Sequence, residues 1–200
     1  IRDYKVTGVQ TCALPISFAS LPPRWGMAAW FAFKVALCAA SIVLLLRLTP
    51  PTPIWGLYAV LALALRPVVG DLLHGNVNLW VLFWIVVAIG SVQRGRDAAA
   101  GLSLSLAIAS KLTPALLLVY LVWKRAWRPA AATAIGLSVW LLAAPSLIVG
   151  PSANLAMLRD WSRHMVEPYL LEGQVDTEQV NQSLPAVWHR LVTASPAVRP

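Results

Sequence analysis

An all-α polytopic membrane protein is the fold class this sequence predicts, and three observations carry that expectation. Hydrophobic residues make up 58% of the chain and charged residues only 12%, against about 25% charged in an average soluble domain. Mean hydropathy is +0.68. Apolar runs near membrane length recur along the chain, with basic residues gathered at their ends. The formal charge of +8 therefore reads as membrane anchoring and not as a nucleic-acid surface, because no basic face or stripe forms.

Residues 1–16, IRDYKVTGVQTCALPI, share no pattern with the remainder of the chain. They read as a translated sequencing adapter, with Tyr4-Lys5 as an index, and are set aside from fold reasoning as a tag would be. A short cytosolic tail is the alternative. Without Arg2, Asp3 and Lys5 the formal charge falls from +8 to +7. Without Cys12 only Cys38 is left, so no internal disulfide is expected. A start lacking Met and an abrupt end at Pro200 lead us to expect a longer natural product.

The membrane region is expected over 17–149, followed by a polar segment over 150–200. Its first segment is 25–48, long enough to span at about 20 residues per bilayer core. The Pro-rich turn Thr49-Pro50-Pro51-Thr52-Pro53 closes it. The second and third segments, 54–69 and 77–92, are short and suit a locally thinned or tilted setting. The last, 130–149, precedes the polar tail. Trp25, Trp30, Trp55, Trp80, Trp123 and Trp127 fall near segment ends, where indoles favour the interface.

Between them lies 98–123, which carries Lys111 among almost nothing but apolar neighbours. A lysine there costs about 2.5–3.5 kcal/mol on insertion scales and needs a partner or a role. Pro114 comes three residues later, so the helix is expected to break. One continuous helix would put Arg94 and Arg96 on the opposite side from Lys124, Arg125 and Arg128. Two short helices, 98–110 and 115–123, meeting as a hairpin put all five on one side, which the positive-inside rule prefers. Each arm would reach about 15–20 Å at 1.5 Å per residue. The loops 93–97 and 124–128 are then cytoplasmic, while 70–78, the Lys111 tip and the tail are extracytoplasmic.

Three groups are expected to meet at that outer end. Asp71, His74, Gly75, Asn76 and Asn78 form a junction whose amides suit sugar hydroxyls; alternatively, Asn76 caps the third helix. Lys111, with Ser110 and Thr113, could hold an anionic substrate, or the lysine could simply snorkel to headgroups. Asn181, Gln182 and Ser183, with His189 and Arg190, lie in the tail, where polar residues are ordinarily just solvated. Asn181-Gln182-Ser183 also matches a glycosylation sequon. His74 and His164 are lone histidines. No HExxH, paired-cysteine, Walker or GxGxxG pattern is present, so no metal and no cofactor are expected.

The order of these features is similar to that of glycosyltransferase family 87, integral membrane enzymes of the GT-C class related to polyprenol-phosphate-mannose-dependent mannosyltransferases. The residues that carry the resemblance are Gly75-Asn76-Val77-Asn78-Leu79, where the family usually has Gly-Gln-x-Asn, then Arg94-Gly95-Arg96-Asp97. Next come Ala100-Gly101-Leu102 leading to Ala109-Ser110-Lys111-Leu112-Thr113-Pro114. Lys124-Arg125-Ala126-Trp127-Arg128 and Asn181-Gln182-Ser183-Leu184 complete the series over 21–192. Asn76 replaces the usual Gln and keeps the amide.

The resemblance implies a partial GT-C helical bundle in a bacterial plasma membrane, with its active site on the extracytoplasmic side. It implies transfer of a hexose, mannose by family preference, from a polyprenyl-phosphate-linked donor to a glycolipid or glycan acceptor. Lys111 would pair with the donor phosphate; Asn76, Asn78, Asn181, Gln182 and Ser183 would serve sugar or acceptor; Asp71, His74, Thr113 and Arg190 are further candidates. Membrane lipids are expected partners and nucleic acid is not. The general base, in such enzymes an acid in the first large external loop, is expected upstream of this sequence. A polytopic transporter or lipid-handling protein, with Lys111 at a broken-helix substrate site, is the rival reading; no inverted repeat supports it.

Overall fold

The computed structural model describes residues 22–167, apart from 52 and 75. The chain divides into two units, 1–144 and 145–200. Every described element is helical. In the first unit these are α1 (Pro23–Leu48), α2 (Ile54–His74), α3 (Asn78–Gln93), α4 (Asp97–Ser110), α5 (Ala115–Trp123), α6 (Trp127–Ser138) and a π-helical stretch (Val139–Ala143). Three helical stretches, Arg24–Leu48, Ile54–Leu73 and Trp127–Val149, are long and apolar enough to cross a bilayer. The molecule is an all-α, polytopic integral membrane protein.

The two short helices expected on either side of Pro114 are present as α4 and α5, separated by Lys111, which is extended at φ −158° and ψ 132°. Pro114 starts α5 at φ −65°, where its missing N–H costs nothing. The second segment runs further than expected. Instead of ending at 69, α2 passes Pro67 and continues to His74, because Asp71 is neutralised inside the bundle by Lys34. Trp30 and Trp80 are also corrected: Trp30 is 8% exposed and Trp80 packs against the same core cluster, while Trp25, Trp55, Trp123 and Trp127 do stand exposed.

α4 is the hub. Ala100, Gly101, Ser103, Leu104, Ser105, Ala107 and Ile108 are all buried along it. Its crossing with α6 depends on small residues, as close helix contacts in membranes do. A Cβ on Gly101 would run into Ala132 and meet the backbone nitrogen of Thr133 at 2.6 Å. One on Gly136 would collide with Ser105, whose own Cβ would be only 2.8 Å away. Since 101 meets 132–133 and 105 meets 136, α4 and α6 run parallel, and α5 returns the chain between them.

Helix directions along the rest of the unit can be read from similar contacts. Phe33 of α1 meets Trp80 near the start of α3, with ring centroids 5.9 Å apart. Leu48, at the far end of α1, reaches Gly90 near the end of α3. These two helices are therefore parallel, with α2 running back between them in sequence. Trp80 donates to Ser110 across 3.0 Å, which sets the end of α4 beside the start of α3. The turns 49–53, 93–97 and 124–127 thus share one end of the unit, and 74–78 shares the other with 110–114.

Two of the turns at the basic end are built alike. Arg96 N–H bonds to Ser91 C=O and Ala126 N–H to Leu121 C=O, both at 2.9 Å, each closing a Schellman turn. The left-handed position is filled by Gly95 at φ 66° in one and by Arg125 at φ 56° in the other.

The second unit is described as far as 167. Its helix α7 (Ala144–Val149) begins one residue ahead of the boundary and contains Pro145, which cannot donate to a carbonyl in the preceding turn. The helical ladder widens to π spacing just before that proline. Gly150 then takes φ 90°, and α8 (Pro151–Met165) comes next, with Pro151 in its first turn and Arg163 and His164 in its last. Asn154 donates to Ser146 at 3.2 Å within this unit.

Candidate functional site

At the 74–78 end of the first unit, four polar side chains from four elements form one connected chain. It begins with Lys34, halfway along α1 and 1% exposed. Its Nζ lies 3.0 Å from Asp71 Oδ2 in an ion pair and also donates to the Asp71 carbonyl. The Trp30 ring lies 6.0 Å from the same ammonium. Removing both charges from water is costly, so the pair persists only because each partner compensates the other.

Asp71 uses its second oxygen on the next element. The backbone N–H of Asn78 donates to Asp71 Oδ1 at 3.2 Å. This occupies one of the free donors of the first turn of α3. The alternative that Asn76 caps this helix is overturned: the cap position is Val77, with no side-chain cap bond, and a carboxylate from the preceding helix bonds the first turn instead. Asn76 is half-buried and makes no hydrogen bond to another described residue.

Asn78 in turn accepts from Lys111. The ammonium donates to Asn78 Oδ1 at 2.7 Å, a charge-assisted bond across 33 residues. Lys111 is half-buried at the break between α4 and α5. An ammonium has three donors, so Asn78 leaves two for another acceptor. Ser110 is engaged separately, accepting from the Trp80 indole at 3.0 Å and donating to Leu106 C=O at 2.8 Å. Trp30, Phe33, Trp80 and Trp84 form an aromatic wall beside the network, with successive centroids 5.8, 5.9 and 5.5 Å apart.

Of the residues expected here, Asp71, Asn78 and Lys111 are brought into one network; Asn76 stands next to it in sequence without joining it. Thr113 is exposed on the turn. His74 ends α2. Gly75, Asn181, Gln182, Ser183 and Arg190 lie outside the described residues, as does the segment 1–16. Lys34 is the residue that the sequence reading missed. The signal was available, since a lysine well inside the apolar run 25–48 carries the same insertion cost that singled out Lys111.

What this arrangement can do is bind an anion. A lysine fixed by an amide, with no second hydrogen-bond acceptor among the described residues, sits where a helix ends and the chain turns. Asp71 is buried at 4% and committed to Lys34 and Asn78, so it is poorly placed to take a proton from an acceptor. Among the described residues no group of three or more His, Cys, Asp or Glu side chains could hold a metal.

Comparison with known protein families gives a match over nearly the whole chain. The model of the family described as Glycosyltransferase family 87 matches residues 10–198. That span takes in the end of the stretch read as adapter and the whole of the network above. No curated protein and no solved structure matches the chain.

Proposed function

We propose, from the premise that the chain belongs to glycosyltransferase family 87, that it transfers a hexose from a lipid-linked phosphosugar on the extracytoplasmic side of the membrane. Mannose on a polyprenyl phosphate is the donor, and a glycolipid or polysaccharide is the acceptor. The observation that carries this reading is the Lys111–Asn78 bond of 2.7 Å at the break between α4 and α5. It holds an ammonium where the phosphate of a membrane-embedded donor would lie.

In this reading α4 and α5 are the arms of a re-entrant hairpin. Their tip lies in the outer leaflet and the basic turns lie on the cytoplasmic side, as the positive-inside rule requires. As the sugar departs, negative charge grows on the leaving lipid phosphate, and Lys111 stabilises it through a charge-assisted bond. Asn78 sets the direction of the ammonium, and the buried Lys34–Asp71 pair fixes Asn78 at the head of α3. Asn76, with Asn181, Gln182 and Ser183 of the tail, supplies amide and hydroxyl contacts to sugar or acceptor; His74, Thr113 and Arg190 are further candidates for the same surface. Inversion at the sugar carbon needs a carboxylate base beside the acceptor hydroxyl. We assign that base to none of the described residues.

The test is donor discrimination by the full-length protein in membranes. It is expected to transfer labelled mannose from polyprenyl-phosphate mannose and to leave a soluble nucleotide-linked mannose untouched. Transfer from the nucleotide sugar alone would refute the reading.

A further inference from the structure

The end of the first unit opposite Lys111 contains a cleft of 280 Å³ between α3, α4 and α5. Its walls are aliphatic, with Ile89, Val92, Leu104, Leu117 and Leu121 prominent, and Gln93 and Tyr120 lie towards the basic end. The volume is slightly below the usual range of small-molecule sites, about 300–1,000 Å³. Such a slot suits an unbranched hydrocarbon chain better than a polar metabolite.

Cations stand at this end of the cleft. The Lys124 ammonium lies over the ring of Tyr120, itself a wall of the cleft, 5.8 Å from its centroid and 4.9 Å from that of Trp123. Gln93 leads directly into the turn that bears Arg96, which is exposed, whereas Arg94 folds back to donate to Gly90 C=O at 3.5 Å. Arg125 is exposed beside Lys124, and Asp97 is the one acid in the two turns. A helix C-terminus favours a cation through its dipole, by about 0.3–1 kcal/mol. That accounts for a basic residue at each turn, but not for an apolar slot running up to them.

We infer that this cleft binds an anionic phospholipid of the bilayer, with one acyl chain between α3 and α5 and the phosphate held by Lys124 and Arg96. Basic pockets between membrane helices on the cytoplasmic side suit anionic headgroups. The site is separate from the Lys111 end and uses none of its residues, so it stands or falls independently of the transferase reading.

Native mass spectrometry of the full chain in detergent tests it, with titration by phosphatidylglycerol and by phosphatidylcholine of the same acyl chains. The wild type is expected to retain one phosphatidylglycerol at least fivefold more tightly. Arg96→Gln and Lys124→Gln together should weaken phosphatidylglycerol by about fivefold or more, erasing its advantage over phosphatidylcholine, whose phosphate is offset by its own choline. Leu121→Trp, which fills the slot, should weaken both lipids; Ile89→Trp, at a position 41% exposed, does the same without touching the core. Equal retention of the two lipids overturns the inference. So does retention indifferent to the charge and slot variants, or a wild type that takes no lipid because the rest of the protein fills the cleft.

Discussion

Lys34 of α1 and Asp71 of α2 form an ion pair of 3.0 Å with side chains only 1% and 3% exposed. It is the most deeply buried charge interaction among the described residues, and Asn78 and Lys111 are connected to it. Removing one partner strands the other, which for a buried pair costs about 3–5 kcal/mol. Asp71→Ala should therefore lower stability in detergent by that order, measured by denaturant unfolding. Lys34→Met with Asp71→Leu should recover most of the loss. A single variant as stable as wild type would mean that the pair is not held as described.

The α4–α6 crossing gives a second expectation. Gly101 and Gly136 admit no Cβ without displacing backbone or Ser105. Gly101→Val or Gly136→Val should cost about 1–3 kcal/mol or more by overpacking, seen as a lower Tm. Gly70, where an added Cβ meets nothing within 4 Å, is the control and should tolerate Ala far better.

Arg125 is the one described non-glycine residue with positive φ, at 56°, in the turn where its counterpart is Gly95. A left-handed residue with a Cβ is strained by about 1–2 kcal/mol. Arg125→Gly should raise stability by about 1 kcal/mol, read from the same unfolding curves. No gain would show that the arginine side chain offsets its own backbone strain.

How much of this the sequence disclosed depends on range. Helix α5 was expected over 115–123 and is found there, because a proline and a stranded lysine are local signals. The break at Lys111 was legible for the same reason. The end of α2 was not: Gly70 and Asp71 look like a loop until a partner 37 residues away cancels the charge. Lys34 is hidden inside a run that otherwise reads as uniformly apolar. Trp30 and Trp80 look like interfacial anchors in the sequence, since position near a segment end cannot tell a lipid-facing indole from one packed on a neighbouring helix. The tail amides at 181–183 lie outside the described residues.

The placement of α4 and α5 in the membrane has its own test. Single cysteines at Lys111 and Arg96, introduced in a background with Cys12→Ser and Cys38→Ser, should be labelled by impermeant reagents from opposite sides of the membrane. Labelling of both from one side would contradict the re-entrant arrangement and the sidedness proposed for the site.

The role of Lys111 is the central claim, and one measurement meets it directly: transfer from polyprenyl-phosphate mannose by full-length Lys111→Ala protein, against wild type at equal membrane abundance. Loss of a single preorganised donor to a developing anion typically costs about 100–1,000-fold in rate. The account predicts a fall of at least about 100-fold. Unchanged transfer would contradict it and leave Lys111 as an interfacial lysine with no part in the chemistry.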